Sequence, residues 1–158
     1  MLLFDLGNSR LKWSLWSAAG YAQTGSVDPG DQEWDVQLRQ QLQGIAAPDR
    51  VLVASVGPVQ VWEALRSMTR SRWGQEPVRL QSQALQCGVR NAYAEPARMG
   101  ADRWLAMLAA WNRFHRPVCI LDIGTAVTAD VVAADGRHLG GIIAPGISLS
   151  RSALQAQT

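Results

Sequence analysis

Short runs rich in apolar residues, separated by turn-forming residues, open the chain. These runs predict three short strands, over Leu2–Leu6, Leu11–Trp16 and Tyr21–Val27. The segments between them, Gly7-Asn8-Ser9 and Ala18-Ala19-Gly20, are composed of turn-forming residues. Turns of this kind between strands favour consecutive hairpins. The pattern therefore predicts one antiparallel unit of three strands.

The middle of the chain changes to alternating helix and strand patterns. Apolar residues recur there at helical spacing, and short Val-rich or apolar runs separate the helical segments. The predicted elements are a helix over Trp34–Leu42, a strand over Arg50–Val56, a helix over Val59–Met68, a strand over Pro77–Leu80, a polar irregular stretch over Gln81–Gly100, and a helix from Asp102 to Phe114 with Asp102 as its N-cap. This alternation predicts an α/β fold.

The three-strand pattern returns after Pro117. The predicted elements are strands over Val118–Ile123, Val127–Ala133 and His138–Ile143, followed by the first turns of a helix over Ile147–Gln157. The first strand of each unit ends in Asp-x-Gly and a small polar residue, in the segments Asp5-Leu6-Gly7-Asn8-Ser9 and Asp122-Ile123-Gly124-Thr125-Ala126. A unit that occurs twice with the same turn indicates an internally duplicated fold.

The two Asp-x-Gly turns have the chemistry that a phosphate chain requires. Gly7 and Gly124 give each turn access to backbone angles that are closed to other residues, and backbone amides there can bind phosphate oxygens. Each preceding aspartate can face a cation, and Lys12, the chain's single lysine, can add positive charge. One such turn is usually structural. Two in matching units favour a kinase or ATPase of the actin-like, sugar-kinase and Hsp70 type.

Composition and charge exclude several classes of function. The chain has 158 residues, 47% of them hydrophobic and 18% charged, which is typical of a globular domain. A net charge of +2 from scattered basic residues argues against nucleic acid as a partner. Cys87 and Cys119 are predicted to be buried free thiols, and His115 and His138 are given no catalytic or ligand role. A signal peptide and a membrane span are both absent from the pattern, which predicts a cytoplasmic protein.

Five motifs follow one another along nearly the whole chain. They are Asp5-Leu6-Gly7-Asn8-Ser9-Arg10-Leu11-Lys12, Tyr93 with Pro96, Gly100-Ala101-Asp102-Arg103, Asp122 through Asp130, and Gly140 through Gly146. In this order they resemble type III pantothenate kinase, a family whose close relatives include proteins named Bvg accessory factor. The resemblance implies an actin-like, ribonuclease H-like duplicated fold. Residues 1–116 would form its first lobe, and residues 117–158 would begin a second lobe that is incomplete here.

The resemblance also implies an activity. The γ-phosphate of ATP would be transferred to the 4′-hydroxyl of pantothenate, the first step towards coenzyme A, by a homodimer that needs magnesium and a monovalent cation, potassium or ammonium. Asp5 would hold magnesium and Asp122 the monovalent cation. The ATP-binding residues would be Asp5, Leu6, Gly7, Asn8, Ser9, Arg10, Leu11, Lys12 and Thr125, and the pantothenate-binding residues would be Tyr93, Gly100, Ala101, Asp102 and Arg103.

Asp102 would accept the hydroxyl proton. In a loose phosphoryl-transfer transition state the nucleophile needs orientation more than strong deprotonation, so a carboxylate of ordinary basicity is sufficient. Taken without the other motifs, Asp102 reads as a helix N-cap. Two other functions stay open: a non-catalytic ligand-binding or regulatory protein with the same fold, and a kinase that acts on a sugar or another small alcohol. Tyr93 and the Gly100–Arg103 segment argue against the sugar kinase.

Overall fold

The structure is a computed structural model that describes residues 1–156. Its contacts divide the chain into two compact units, Met1–Leu80 and a second unit that begins at Gln81. Each unit contains one antiparallel group of three consecutive strands, so the predicted α/β class and the repeated unit are both confirmed. The division into lobes at residues 116 and 117 stays a prediction.

The first unit is built on a mixed sheet of five strands. Its elements are β1 (Leu2–Leu6), β2 (Leu11–Ser17), β3 (Gly20–Val27), α1 (Trp34–Gln41), β4 (Val51–Ser55), α2 (Val59–Trp73) and β5 (Val78–Leu80). The strand order is β3-β2-β1-β4-β5. β1 pairs antiparallel with β2, which follows it after a short turn, and parallel with β4. The parallel pairing requires a long crossover, and β2, β3 and α1 lie between β1 and β4 in the chain.

One face of this sheet forms the core of the first unit. Leu2, Phe4 and Leu6 alternate along β1 and are at most 3% exposed, as the two-residue period predicts. Leu38 of α1 and Leu65 of α2 belong to the same apolar cluster and are fully buried. Full burial of one such side chain contributes about 1.5–3 kcal/mol. The opposite positions of β1, such as Asp5, are thereby turned away from the core.

The second unit contains a three-stranded antiparallel sheet with one long helix. Its elements are β6 (Leu85–Gln86), β7 (Val89–Arg90), α3 (Ala101–Phe114), β8 (Val118–Ile123), β9 (Ala126–Val132), β10 (His138–Pro145) and α4 (Ile147–Gln155). The sheet order is β10-β9-β8, and β6 pairs with β7 in a small hairpin. The prediction that Gln81–Gly100 is irregular was therefore wrong in part, since this stretch holds the hairpin and a short 3-10 helix at Pro96–Arg98.

The start of α3 differs from the prediction. Gly100, and not Asp102, is the N-cap residue, so the predicted N-cap was wrong. Asp102 lies inside the first helical turn, where a negative charge is favoured by the helix dipole. α4 ends at Gln155 within the described residues, and Gln157, the end of the predicted helix, lies outside them.

Cys87 and Cys119 are both exposed, so the prediction that they are buried was wrong. Cys87 lies between β6 and β7 with a positive φ of 49°, a turn position that faces solvent. Cys119 occupies the face of β8 opposite to the half-buried Val118 and Ile120. In the part of the chain that the structure describes, no helix is long and apolar enough to cross a membrane.

Candidate active site

The first Asp-x-Gly turn connects β1 to β2. Leu6 and Leu11 form the last cross-strand pair, and the Gly7 amide donates to the Arg10 carbonyl at 3.0 Å. Asn8 and Ser9, at the tip of the turn, are exposed. Neither Gly7 nor Gly124 has a positive φ, so the special backbone angles expected of these glycines are not used. The turn presents a short, exposed segment of backbone next to Asp5.

Asp5 and Lys12 are opposite each other on β1 and β2. The Lys12 Nζ lies 3.7 Å from Asp5 Oδ2, and both side chains are substantially exposed. Their strand positions alternate with the buried Leu6 and Leu11, which is why both point to the face away from the core. The predicted magnesium residue and the predicted phosphate-binding lysine are thus brought together within the first unit.

Gly57 supports this turn, a role that the sequence did not indicate. Val56 and Gly57, just after β4, both donate their amides to the Leu6 carbonyl, at 2.9 and 3.0 Å. A β-carbon on Gly57 would lie 2.4 Å from the Gly7 carbonyl oxygen. The end of β4 therefore packs against the backbone of the turn, and only glycine allows that approach.

The second Asp-x-Gly turn, between β8 and β9, is shorter. The Gly124 amide donates to the Ala126 carbonyl at 2.9 Å. Gly146, at the end of the last sequence motif, donates its amide to the Thr125 carbonyl at 2.9 Å, and a β-carbon on Gly146 would lie 2.2 Å from the Gly124 carbonyl oxygen. Asp122 is exposed near the end of β8. That this turn and the first one hold a triphosphate together stays a prediction.

Asp102 lies in the first turn of α3 and is half-buried. Its Oδ1 accepts the backbone N–H of Arg103 at 2.8 Å. The Ser82 hydroxyl donates to the Met99 carbonyl at 2.9 Å, and this bond ties the segment before the helix to the chain upstream. In Asp102, the bond from the Arg103 amide to Oδ1 orients the side chain, whereas Oδ2 has no hydrogen-bond partner among the described residues.

Arg103 is buried, although it was predicted to bind substrate. Its Nε and Nη2 donate to Asp130 Oδ2 and Oδ1 at 2.8 and 2.6 Å, a two-point ion pair in which both side chains are at most 6% exposed. The hydrogen bonds to Asp130 are the main cause that raises the pKa of Arg103 above its ordinary value. Removal of one partner from a buried pair costs about 3–5 kcal/mol, because the other charge is left uncompensated.

Tyr93 and His138 extend this ion pair into a circuit of hydrogen bonds whose members are Tyr93, Arg103, Asp130 and His138. Arg103 Nη1 donates to the Tyr93 hydroxyl at 3.2 Å, and His138 Nε2 lies 3.0 Å from Asp130 Oδ1. The Ala92 amide donates to His138 Nδ1 at 3.4 Å, which connects the circuit to the residue before Tyr93. The Tyr93 and His138 rings are stacked, with centroids 6.4 Å apart and an angle of 17° between their planes.

An irregularity in β10 brings these groups together. His138 pairs with Val132, Gly140 with Val131 and Gly141 with Asp130, so Leu139 is an extra residue in the ladder. Gly140 has a φ of 113°, which favours glycine. In a regular strand, His138 and Gly141 would lie on opposite faces. The bulge places both on the face of β9 that carries Asp130.

Asp130 and His138 are the functional candidates that sequence reasoning missed. The sequence motifs include Asp130 without a role, and the strand pattern predicts that His138 is an ordinary strand residue. One signal was available in the sequence. Asp130 and His138 are polar, titratable residues within predicted strands, where a buried polar group needs a hydrogen-bond partner. Of the predicted pantothenate residues, the structure brings Tyr93 and Arg103 into contact, and Asp102 is bonded to the Arg103 amide.

The chain is similar over nearly its whole length to curated type III pantothenate kinases. The chain is 41% identical over 162 residues to a type III pantothenate kinase from Alkalilimnicola ehrlichii, with 99% of this chain and 63% of the relative covered. It is 38% identical over 154 residues to the enzyme of the same name from Nitrosococcus oceani, with 94% of this chain and 58% of the relative covered. The chain thus spans about three fifths of the length of the curated relatives that it matches.

A solved structure shows the same fold. A Baf family protein from Campylobacter jejuni superposes with a TM-score of 0.57 at 20% sequence identity, over 100% of this chain and 61% of that one. The predicted fold class is confirmed by this likeness. A model of the type III pantothenate kinase family matches residues 1–158. The chain therefore belongs to the type III pantothenate kinase family.

Proposed function

We propose that this protein transfers the γ-phosphoryl group of ATP to the 4′-hydroxyl of pantothenate. The observation that carries the proposal is the family match across residues 1–158, a range that includes both Asp-x-Gly turns and the Asp102–Arg103 pair. In the reaction, the bond from the γ-phosphorus to the bridging oxygen of ADP breaks, and a bond to the 4′-oxygen of pantothenate forms. The hydroxyl loses its proton.

The β1–β2 turn is the proposed binding site for the ATP phosphates. Asp5, Leu6, Gly7, Asn8, Ser9, Arg10, Leu11 and Lys12 form this segment, and Thr125 of the second turn is proposed to contact ATP as well. Lys12 is exposed and already lies beside a negative charge, that of Asp5. A phosphate chain would offer it a more highly charged partner, so we expect Lys12 to change partners when ATP binds.

Asp5 is the residue proposed to hold magnesium. Magnesium is typically bound by one or two carboxylates together with substrate phosphates and water, rather than by a cage of protein ligands. Groups of three or more metal-binding side chains are absent from residues 1–156, and a single carboxylate beside the phosphate turn fits that type of site. When bound, magnesium would neutralise charge on the phosphates.

Asp122 is proposed, from the family resemblance, as the residue for potassium or ammonium.

Asp102 is the proposed acceptor of the hydroxyl proton. Its Oδ1 is engaged by the Arg103 amide, which orients the carboxylate, and Oδ2 has no partner among the described residues that would compete for the hydroxyl. Orientation of this kind is the main contribution that a base makes in a loose phosphoryl transfer. Tyr93, Gly100, Ala101 and Arg103 are proposed to surround pantothenate.

Arg103 is suited to the carboxylate of pantothenate. Its contacts with Asp130 and Tyr93 use three of the five guanidinium N–H bonds, which leaves two for a ligand. Arg and carboxylate make strong, directional hydrogen bonds.

A homodimer and a cytoplasmic location are also part of the proposal, on the strength of the family resemblance.

A direct assay tests the proposal. The protein at its full natural length is incubated with ATP, magnesium and pantothenate in buffers that contain potassium, ammonium or sodium, and the product is identified by mass spectrometry. We expect pantothenate to gain one phosphoryl group, with a higher rate in potassium or ammonium than in sodium. A sugar that clearly outperforms pantothenate would contradict the proposed substrate.

Melting temperatures measured with and without pantothenate and ATP separate catalysis from binding alone. Ligands that bind the folded state raise its thermal stability. A protein that is stabilised by pantothenate and ATP but forms no product would be the non-catalytic regulatory protein, and the proposed reaction would be wrong.

A further inference from the structure

We propose that His138 is a positioning residue for the pantothenate site. Through Asp130 it fixes the orientation of Arg103, and through the Ala92 amide it fixes the loop that carries Tyr93. The inference rests on the proposed function, because it takes Arg103 and Tyr93 to be pantothenate contacts. His138 itself touches neither of the reacting groups in the proposal.

Arg103 needs such support because its side chain is long. An arginine side chain has many rotamers, and useful binding requires that the guanidinium plane is held in one of them. Asp130 supplies two acceptors for one edge of the guanidinium, Nε and Nη2. A carboxylate that rotated about its own bond to Cβ would carry the guanidinium with it, so the ion pair alone does not define one orientation.

His138 provides the third bond to that carboxylate. Its Nε2 lies 3.0 Å from Asp130 Oδ1, while its Nδ1 accepts the Ala92 N–H. Since Nδ1 acts as an acceptor, the proton of the neutral ring is on Nε2, and Nε2–H donates to Asp130. The His138 side chain is fully buried, and the carboxylate plane is thereby held by donors from α3 and β10 together.

The second bond of His138 links Arg103 to Tyr93. Ala92 precedes Tyr93, the Tyr93 amide donates to Asn91 Oδ1 at 3.0 Å, and the Tyr93 hydroxyl accepts from Arg103. The two proposed substrate contacts are therefore connected twice, once directly and once through Asp130 and His138. A change at His138 should disturb both contacts, although the binding of ATP at the β1–β2 turn should be unaffected.

Three variants at His138 test the inference. His138→Gln places an amide nitrogen near the position of Nε2 and can still donate to Asp130, whereas His138→Asn can reach the Ala92 amide but not Asp130. His138→Ala removes both bonds. We expect the KM for pantothenate to rise about tenfold or more in His138→Ala and His138→Asn, the effect of losing a hydrogen bond to a charged group, and less than about threefold in His138→Gln. The kcat and the KM for ATP should stay within about twofold.

Val132→Ala is the matched control. Val132 is fully buried, pairs with His138 across the strands and contributes no side-chain hydrogen bond to the circuit, so the variant is expected to lose stability and to keep the polar contacts of Arg103. Melting temperatures are measured for all four variants. The control should lose stability and keep the KM for pantothenate of the natural protein.

The outcomes are distinguishable. An unchanged KM for pantothenate in His138→Ala would contradict the inference, and so would equal increases in His138→Gln, His138→Asn and Val132→Ala that follow the melting temperature. If the natural protein phosphorylates pantothenate, these results overturn the inference alone. If it does not, the proposed function fails, and the inference fails with it.

Discussion

Gly141 lies directly opposite Asp130 in the β9–β10 ladder, and a β-carbon on Gly141 would come within 2.2 Å of Asp130 Oδ1. The same β-carbon would lie 2.8 Å from Arg103 Nη2. The ion pair of Arg103 and Asp130 therefore occupies the space that any other residue at this position would fill. The Ala129 carbonyl oxygen would lie 2.4 Å from that β-carbon as well. The glycine is explained by this close packing and not by a special backbone angle, since its φ is not positive.

The first prediction concerns this contact. Gly141→Ala should lower the free energy of unfolding by about 1–3 kcal/mol, because the new methyl group forces the buried pair and the Ala129 backbone to move. Urea denaturation followed by circular dichroism measures the change. Gly124→Ala is the matched control, since its nearest neighbour would be 3.9 Å from the β-carbon, and it should change the free energy by less than about 0.5 kcal/mol. Equal stability of Gly141→Ala and the natural protein would show that the space beside Asp130 can hold a methyl group.

The second prediction concerns the proposed base. Asp102→Asn keeps the shape of the side chain and its acceptor for the Arg103 amide but cannot take up a proton, so kcat should fall by about 10²–10⁴-fold while the fold survives. Steady-state assays with pantothenate and ATP measure the change. Asp49→Asn, at an exposed position of the first unit, serves as control and should retain its activity. Full turnover in Asp102→Asn would rule out its role as the base.

The third prediction concerns Lys12. Lys12→Met removes the positive charge next to the proposed phosphate site and keeps a similar chain length, so the KM for ATP should rise about tenfold. The KM for pantothenate should stay within about twofold. Arg39→Met is a matched control. Arg39 is also a positively charged, half-exposed side chain, and it lies beside the carboxylate of Asp35 in α1. A similar rise in both variants would point to a general effect of charge and not to contact with ATP.

The fourth prediction concerns the pH dependence of stability. The backbone N–H of Glu33, followed by the side-chain amide of Gln37, lowers the pKa of Asp31 below its ordinary value. A carboxyl group whose pKa is lower in the folded state stabilises that state above its unfolded pKa, and this contribution is lost as the pH falls through the folded pKa.

Asp31→Asn, which has no charge to titrate, should therefore be less stable than the natural protein at pH 6, and the difference should shrink as the pH falls below the ordinary carboxyl range. Melting temperatures across this range provide the test. A difference that stays constant with pH would show that the charge of Asp31 does not contribute.

Local pattern alone was sufficient for most of the secondary structure. β1 and β8 have the bounds that were predicted, because each is a short, mostly apolar run that ends at a turn-forming glycine. The duplication was also predictable, since the same turn ends the first strand of both units. The start of α3 was not, because Asp102 is an acceptable residue both at an N-cap and within the first turn.

The candidate site was predictable only in its parts. The pairing of Asp5 with Lys12 follows from two strands joined by a short turn, so sequence distance and strand period are enough to derive it. Arg103 and Asp130 are separated by 27 positions, and nothing in the local pattern of either residue indicates the other. Sequence motifs named Arg103 as a substrate residue but did not indicate that its charge is buried.

The sequence by itself thus determined most of the strands and helices, the repeated three-strand unit and the family, all of which depend on local patterns or on contiguous motifs. It did not indicate the β6–β7 hairpin or the short 3-10 helix at Pro96–Arg98. Only the tertiary structure decided that Arg103, Asp130, Tyr93 and His138 form one circuit of hydrogen bonds, in which the first two and His138 are buried and Tyr93 is half-buried. The physical reason is that a charged side chain can be buried only where partners from other elements meet it. Here they meet because an extra residue, Leu139, shifts β10 by one position and turns both His138 and Gly141 towards Asp130.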